Sequence, residues 1–232
     1  MHVGNDMNTP ELSLLATRVA QVRARILSAG GRDVMLIAVT KSFDVKALIG
    51  AHTTGCDAVG ENYAQELITK LGELPNSNRL PVHFIGRLQG NKVKSLVDVV
   101  DVWQSIDRAS LIAEIAKRCT ADTRHSPAQI LLQVNSTNEP DKGGFQPNGV
   151  PALVNLAVKS GLVVLGLMTV GPTTNEPAST RAAFRLVRKM ADDLGLSSVS
   201  MGMTGDLEIA VEEGTTAVRV GTALFGPRTQ LS

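Results

Sequence analysis

Val34-Met35-Leu36-Ile37-Ala38-Val39-Thr40-Lys41 sets six apolar residues in a row, without polar alternation, directly before a threonine and a lysine. Such a run suits a strand buried on both faces, as in a parallel sheet. A lysine that follows it stands at the strand's carboxyl end, where parallel α/β folds build their ligand sites. Partial removal from water disfavours the ammonium form, so the pKa falls and the amine becomes a nucleophile. The plain alternative is a solvated lysine that merely ends a strand, which is what most lysines are. The rest of the chain has to decide between them.

Working outward, short apolar runs alternate with amphipathic segments. Strands are expected at 34–39, 57–59, 82–85, 99–103, 130–134, 163–168, 199–201 and 217–220. Helices are expected between them, at 45–52, 61–71, 91–97, 108–119, 149–159, 177–194 and 206–213. Before the first strand, Leu12, Leu15, Val19, Val22 and Ile26 recur at helical spacing, with Thr9 or Ser13 as cap and Gly30-Gly31 as stop. Eight strands alternating with helices read as a (β/α)8 TIM barrel carrying an extra N-terminal helix, with a doubly wound open sheet as the second choice. No linker divides the chain, so residues 1–232 are expected to form a single domain, with 1–30 packing on the barrel. The loops 136–148 and 171–176, after the fifth and sixth strands, would stand on the rim that carries chemistry in this architecture.

Composition narrows the class. Apolar residues at 43% and charged residues at 19% give an ordinary globular core, and 3% aromatics leave Val, Leu, Ile and Ala to fill it. A formal charge of +1, without a basic run, argues against nucleic-acid binding. Cys56 and Cys119 lack a metal-ligand spacing and read as buried thiols in a reducing cytoplasm. The polar stretch 1–10 lacks a signal-peptide core, and no apolar run is long enough to span a membrane.

Several rim positions carry possible chemistry. Gly60-Glu61-Asn62-Tyr63 ends the second strand, and Asn62 can offer a carbonyl and an amide to a ligand, or simply cap a helix. His83 lies inside the apolar third strand, where a hydrogen-bonded core histidine is the ordinary reading. Gly86 and Gly90 after it suggest a tight turn near a ligand. The seventh strand leads into Ser200-Met201-Gly202-Met203-Thr204-Gly205-Asp206, and the eighth into Arg219-Val220-Gly221-Thr222. Glycines let backbone approach an anion closely, threonines add hydroxyl donors, and in barrels these two loops form the usual phosphate site. Arg219 has side-chain parity opposite to Val218 and Val220, so it points into the barrel mouth if the valines pack outward. There it needs either a ligand atom or a buried partner such as Glu61 or Asp206. A lysine nucleophile, an inward arginine and two glycine–threonine loops suit a phosphorylated aldehyde. Sugar-phosphate aldolases and pyridoxal phosphate proteins both use such a set, and the residues alone leave the two open.

The chain also resembles the pyridoxal phosphate homeostasis proteins, relatives of the alanine racemase barrel, from about Leu36 to Gly226. The resemblance rests on Ala38-Val39-Thr40-Lys41, Gly60-Glu61-Asn62-Tyr63, His83-Phe84-Ile85-Gly86, Leu88-Gln89, Asn91-Lys92 and Gln133-Val134-Asn135. It continues through Gly166-Leu167-Met168-Thr169, Ser200-Met201-Gly202-Met203, Glu212-Glu213-Gly214 and Val218-Arg219, to Gly221-Thr222-Ala223-Leu224-Phe225-Gly226. It implies a Schiff base between Lys41 and pyridoxal 5'-phosphate, with Thr204, Gly221 and Thr222 on the phosphate. Arg219 would face the pyridine nitrogen, and Asn62, Met201 and His83 would lie near the ring. Thr204 stands where the family usually has serine, and Arg87 where many relatives have histidine; Lys142-Gly143-Gly144-Phe145 is compatible with the family. The implied task is vitamin B6 homeostasis in the cytoplasm, by a monomer or weak dimer that buffers the cofactor and delivers it to apo-enzymes. The alternative is an amino-acid racemase. The family's racemases carry a second β domain that supplies a catalytic tyrosine, and a chain ending at Ser232, with Tyr63 as its one tyrosine, is not expected to have it.

Overall fold

A computed structural model describes residues 7–119 and 123–227. Eight strands form a closed, all-parallel barrel in chain order, β1 pairing with both β2 and β8. They are β1 (Met35–Val39), β2 (Ala58–Glu61), β3 (Val82–Phe84), β4 (Val102–Ile106), β5 (Gln129–Gln133), β6 (Val163–Met168), β7 (Ser198–Ser200) and β8 (Ala217–Val220). Helix α1 (Thr9–Ser28) precedes them. Between strands run α2 (Val45–Thr53), α3 (Ala64–Glu73), α4 (Gly90–Val93), α5 (Ala109–Arg118), α6 (Val150–Lys159), α7 (Pro177–Asp193) and α8 (Leu207–Glu212), with α9 (Thr222–Phe225) after β8. This is the (β/α)8 barrel that the alternation predicts. Among the described residues, no helix is long and apolar enough to cross a membrane.

Side-chain parity separates two apolar layers. Leu36, Ala38, Val59, Val82, Phe84, Trp103, Val199, Val218 and Val220 join the main core between barrel and helices. Ile37, Ala58 and Ala217 point the other way, into the barrel, as do Val102, Leu131 and Met168. Leu36 to Val39 are all buried, so β1 is covered on both faces. Arg219 is in register with Ile37 and shares its inward direction. Cys56 and Cys119 are free and buried, and burial pushes both thiols up to about 11.

The boundaries that differ from expectation have local causes. Asn8 caps α1 rather than Thr9 or Ser13: its side chain accepts from the Glu11 amide at 3.0 Å and Glu11 accepts back from the Asn8 amide at 3.3 Å. That reciprocal pair satisfies two otherwise orphaned donors. The fourth strand starts at Val102, not at 99, because residues 94–99 lie in turns that bury Leu96 and Val97. Its interior instead holds the buried polar residues Gln104 and Ser105, which break the apolar pattern. The helix expected from 61 begins at Ala64, because Glu61 still pairs in β2.

Candidate functional site

The carboxyl ends of β1, β2, β7 and β8 surround a cavity of about 370 Å³. Lys41, Asn62, Thr204, Arg219, Gly221 and Thr222 all line it. Six of the eight residues expected at the site therefore meet in one place. Val39, Ile85, Met168, Val170 and Met203 supply apolar wall. Met201 and His83 are not among the lining residues. Met201 is fully buried in the core between barrel and helices, since it follows inward Ser200 and so takes the outward parity; Met203 lines the cavity instead.

Lys41 follows β1 in a turn closed by the Phe43 amide donating to the Thr40 carbonyl at 3.2 Å. Ser42 in that turn has φ 65°, a left-handed conformation that costs an L-residue about 1–2 kcal/mol. Phe43 packs against Phe225, with ring centroids 5.2 Å apart, and so ties the lysine loop to α9. Asn62 is placed by Gly86: a Cβ there would lie 2.1 Å from the Asn62 backbone oxygen, so only glycine permits the approach. Gly90, by contrast, opens α4 with free space around it.

Arg219 is 4% exposed. Its Nη1 donates to Ser200 Oγ at 2.7 Å and its Nη2 to the Thr169 carbonyl at 2.8 Å. Neither Glu61 nor Asp206 forms a direct ion pair with it, although the charge of Asp206 opposes the effect of burial. Burial lowers the guanidinium to about 10, so it stays cationic at neutral pH. Two of its five N–H groups are engaged by these bonds, which leaves donors for a ligand acceptor.

The chain of donors continues inward. Ser200 Oγ donates to Gln104 Oε1 at 2.8 Å, so the Gln104 amide nitrogen, 2.5 Å from His83 Nδ1, must donate to it. His83 therefore carries its proton on Nε2. Burial lowers its pKa to about 4 and keeps it neutral. Histidine 83 is a core residue that orients, through glutamine and serine, the arginine at the cavity. His83 is the hydrogen-bonded core histidine that its apolar strand suggests, and it does not line the cavity.

The loops after β7 and β8 are braced from outside by α1. Arg25 donates to Glu208 at 2.6 and 2.9 Å and to the Thr204 carbonyl at 3.0 Å, while Arg18 donates to the Leu224 carbonyl at 3.0 Å. Sequence periodicity gave α1 an apolar stripe but no reason to expect these two clasps. The loops after β5 and β6 are joined as well: Lys142 donates to Glu139 at 2.7 Å and to the Gly171 carbonyl at 2.5 Å. Asn175 and Val170 from the second of them reach the cavity.

A phosphorylated pyridine aldehyde fits this donor set. The amine, the guanidinium and the two threonine loops face one cavity, and apolar side chains between them can cover the two faces of a ring.

Comparison with known proteins agrees with the barrel. Residues 11–229 match the family model described as alanine racemase, N-terminal domain. The chain is 40% identical over 229 residues to a pyridoxal phosphate homeostasis protein of Pseudomonas aeruginosa, covering 94% of this chain and 97% of that one. It is 37% identical over 224 residues to the protein of the same name from Aquifex aeolicus, covering 91% and 97%. The structure of PipY from Synechococcus elongatus with pyridoxal phosphate bound superimposes with a TM-score of 0.75 at 33% identity, covering 91% of this chain and 100% of that one. The chain belongs to the pyridoxal phosphate homeostasis proteins, within the alanine racemase N-terminal domain family.

Proposed function

We propose that this chain binds pyridoxal 5'-phosphate covalently, as a Schiff base on Lys41, and serves vitamin B6 homeostasis inside the cell. The observation that carries the proposal is the meeting of Lys41, Arg219, Thr204 and Thr222 on one cavity. The relatives' name and the ligand-bound neighbour support the same reading. When bound, the cofactor supplies an aldehyde with which an amine can condense. Lys41 provides that amine from the end of β1. Thr204, Gly221 and Thr222 would hold the phosphate, and Asn62 would lie near the ring.

Arg219 decides what the site does with its ligand. A guanidinium opposite the pyridine nitrogen disfavours a proton there, which weakens the ring as an electron sink. Ser200 and Thr169 fix the guanidinium in place, so this polarity is built in. A weak electron sink suits storage and release better than racemisation. The protein then acts as a carrier, monomeric or weakly dimeric, that keeps the reactive aldehyde scarce in the cytoplasm and hands it to apo-enzymes.

Turnover separates a carrier from an enzyme. The loaded protein, mixed with an excess of a pyridoxal-phosphate-free apo-enzyme, should lose its visible band as the recipient gains activity. The same preparation given L-alanine should not produce D-alanine catalytically. Sustained racemisation, with the cofactor retained, would move the assignment to an amino-acid racemase.

A further inference from the structure

On the outer side of β1, behind Lys41, lies a buried ion cluster that none of the site residues accounts for. Lys70, from α3, is 4% exposed and Glu61, from the end of β2, is fully buried. Lys70 Nζ donates to Glu61 Oε1 at 2.7 Å, to Glu66 Oε1 at 2.5 Å and to the Thr40 carbonyl at 2.8 Å, which uses its three protons. Thr40 Oγ1 donates to the same Glu61 oxygen at 2.7 Å. Glu66 Oε1 also accepts from the Ser42 amide at 2.7 Å. The residues on either side of Lys41 are thus both held by this cluster, Thr40 at its carbonyl and hydroxyl, Ser42 at its amide.

A buried cluster of this kind is a poor way to gain stability. Desolvation offsets most of the attraction, and burial raises the Glu61 carboxyl above its ordinary range even beside Lys70 and Thr40. Glu61 Oε2 is buried and has no hydrogen-bond partner among the described residues. What the cluster does provide is geometry. It grips the turn that carries Lys41 where Ser42 adopts a left-handed φ of 65°, a position where such a turn prefers glycine. The opposite parity of Thr40 and Lys41 means that the grip lies behind the strand and leaves the cavity side to the lysine.

We propose that Lys70, Glu61 and Glu66 are positioning residues for Lys41, which lock the turn so that its amine meets the cofactor aldehyde in a reactive geometry. The inference rests on the reading of Lys41 as the anchoring lysine. In the step concerned, Lys41 Nζ bonds to the aldehyde carbon, and the carbonyl oxygen leaves as water with the two amine protons. Losing the grip should slow that step without weakening the phosphate site, which is built from other loops.

The test is to compare the parent with Lys70→Met in two measurements. Stopped-flow absorption gives the rate at which the imine band forms with pyridoxal phosphate. Titration with pyridoxamine phosphate, which has no aldehyde, gives the affinity of the non-covalent site. The expected result is imine formation slower by about tenfold or more, with pyridoxamine phosphate affinity unchanged. An unchanged rate would overturn the proposal, and so would a loss of pyridoxamine phosphate binding in the same proportion. If Lys70→Met does not melt cooperatively, Glu66→Ala decides on the same two readings, because it frees the Ser42 amide but keeps the Lys70–Glu61 pair. A several-fold slowing there supports the proposal and a parental rate overturns it. A parent with no borohydride-reducible bond on Lys41 would instead strike the proposed function, and this inference with it.

Discussion

At the scale of single residues, Arg219 and His83 show how one polar line through an apolar barrel sets the character of the cavity. Arg219→Ala should leave Ser200 Oγ and the Thr169 carbonyl without a buried donor, at a cost of about 1–3 kcal/mol by denaturant unfolding. It should also speed cofactor loss while the imine still forms. Thr222→Ala should speed loss as well, by removing a hydroxyl from the loop proposed to hold the phosphate, with little effect on unfolding. Off-rates equal to the parent's in both variants would refute the assignment of these residues. His83 contributes a pH dependence of definite sign. Its pKa is about 4 when folded, against an ordinary value of 6.5, so only the unfolded chain takes up this proton as pH falls between them. Stability should therefore drop on acidification through this window, by roughly 2 kcal/mol from pH 7.5 to pH 5. In His83→Gln that difference should disappear; an equal drop in both proteins would exclude the histidine as its source.

At the scale of elements, α1 is a brace for the two loops assigned to the phosphate. Arg25→Ala should cost about 1 kcal/mol or less, because its pair with Glu208 is partly exposed. Even so it should raise the cofactor off-rate, since the Thr204 carbonyl loses its clasp. Arg23→Ala is the matched comparison: Arg23 pairs with Asp57 and touches neither loop, so its off-rate should match the parent's. Equal off-rates for Arg25→Ala and Arg23→Ala would remove the brace from the account. The contact between the end of β3 and Asn62 admits a sharper test. Gly86→Ala drives a methyl group into the Asn62 backbone and should destabilise the protein by about 3 kcal/mol, measured by thermal or denaturant unfolding.

At the scale of the whole molecule, the barrel was legible because a strand covered on both faces must be apolar along its length. β6 and β8 fall where their apolar runs lie. β4 was misplaced because its interior carries the polar residues Gln104 and Ser105, whose partners are His83 on β3, Ser200 on β7 and Gly86 in the turn after β3. The rim loops were legible through glycine and threonine at strand ends. Met201 shares the outward parity of Val199, two residues before it, and so lies in the layer between barrel and helices rather than at the cavity. Of the cluster of Lys70 with Glu61 and Glu66, only the need of Glu61 for a buried partner was legible, with Arg219 as the candidate for it. Lys70, in the last turn of α3, becomes that partner only once the helix lies against β1 and β2.

The central claim concerns one covalent bond, and mass mapping tests it most directly. The protein is incubated with pyridoxal phosphate, reduced with borohydride, digested and mapped, beside Lys41→Ala treated identically. The account predicts a visible band that borohydride removes, the added mass on the peptide holding Lys41, and no adduct in a folded Lys41→Ala. An adduct of equal yield in Lys41→Ala would contradict the anchor, and no band in the parent would return the cavity to the sugar-phosphate reading.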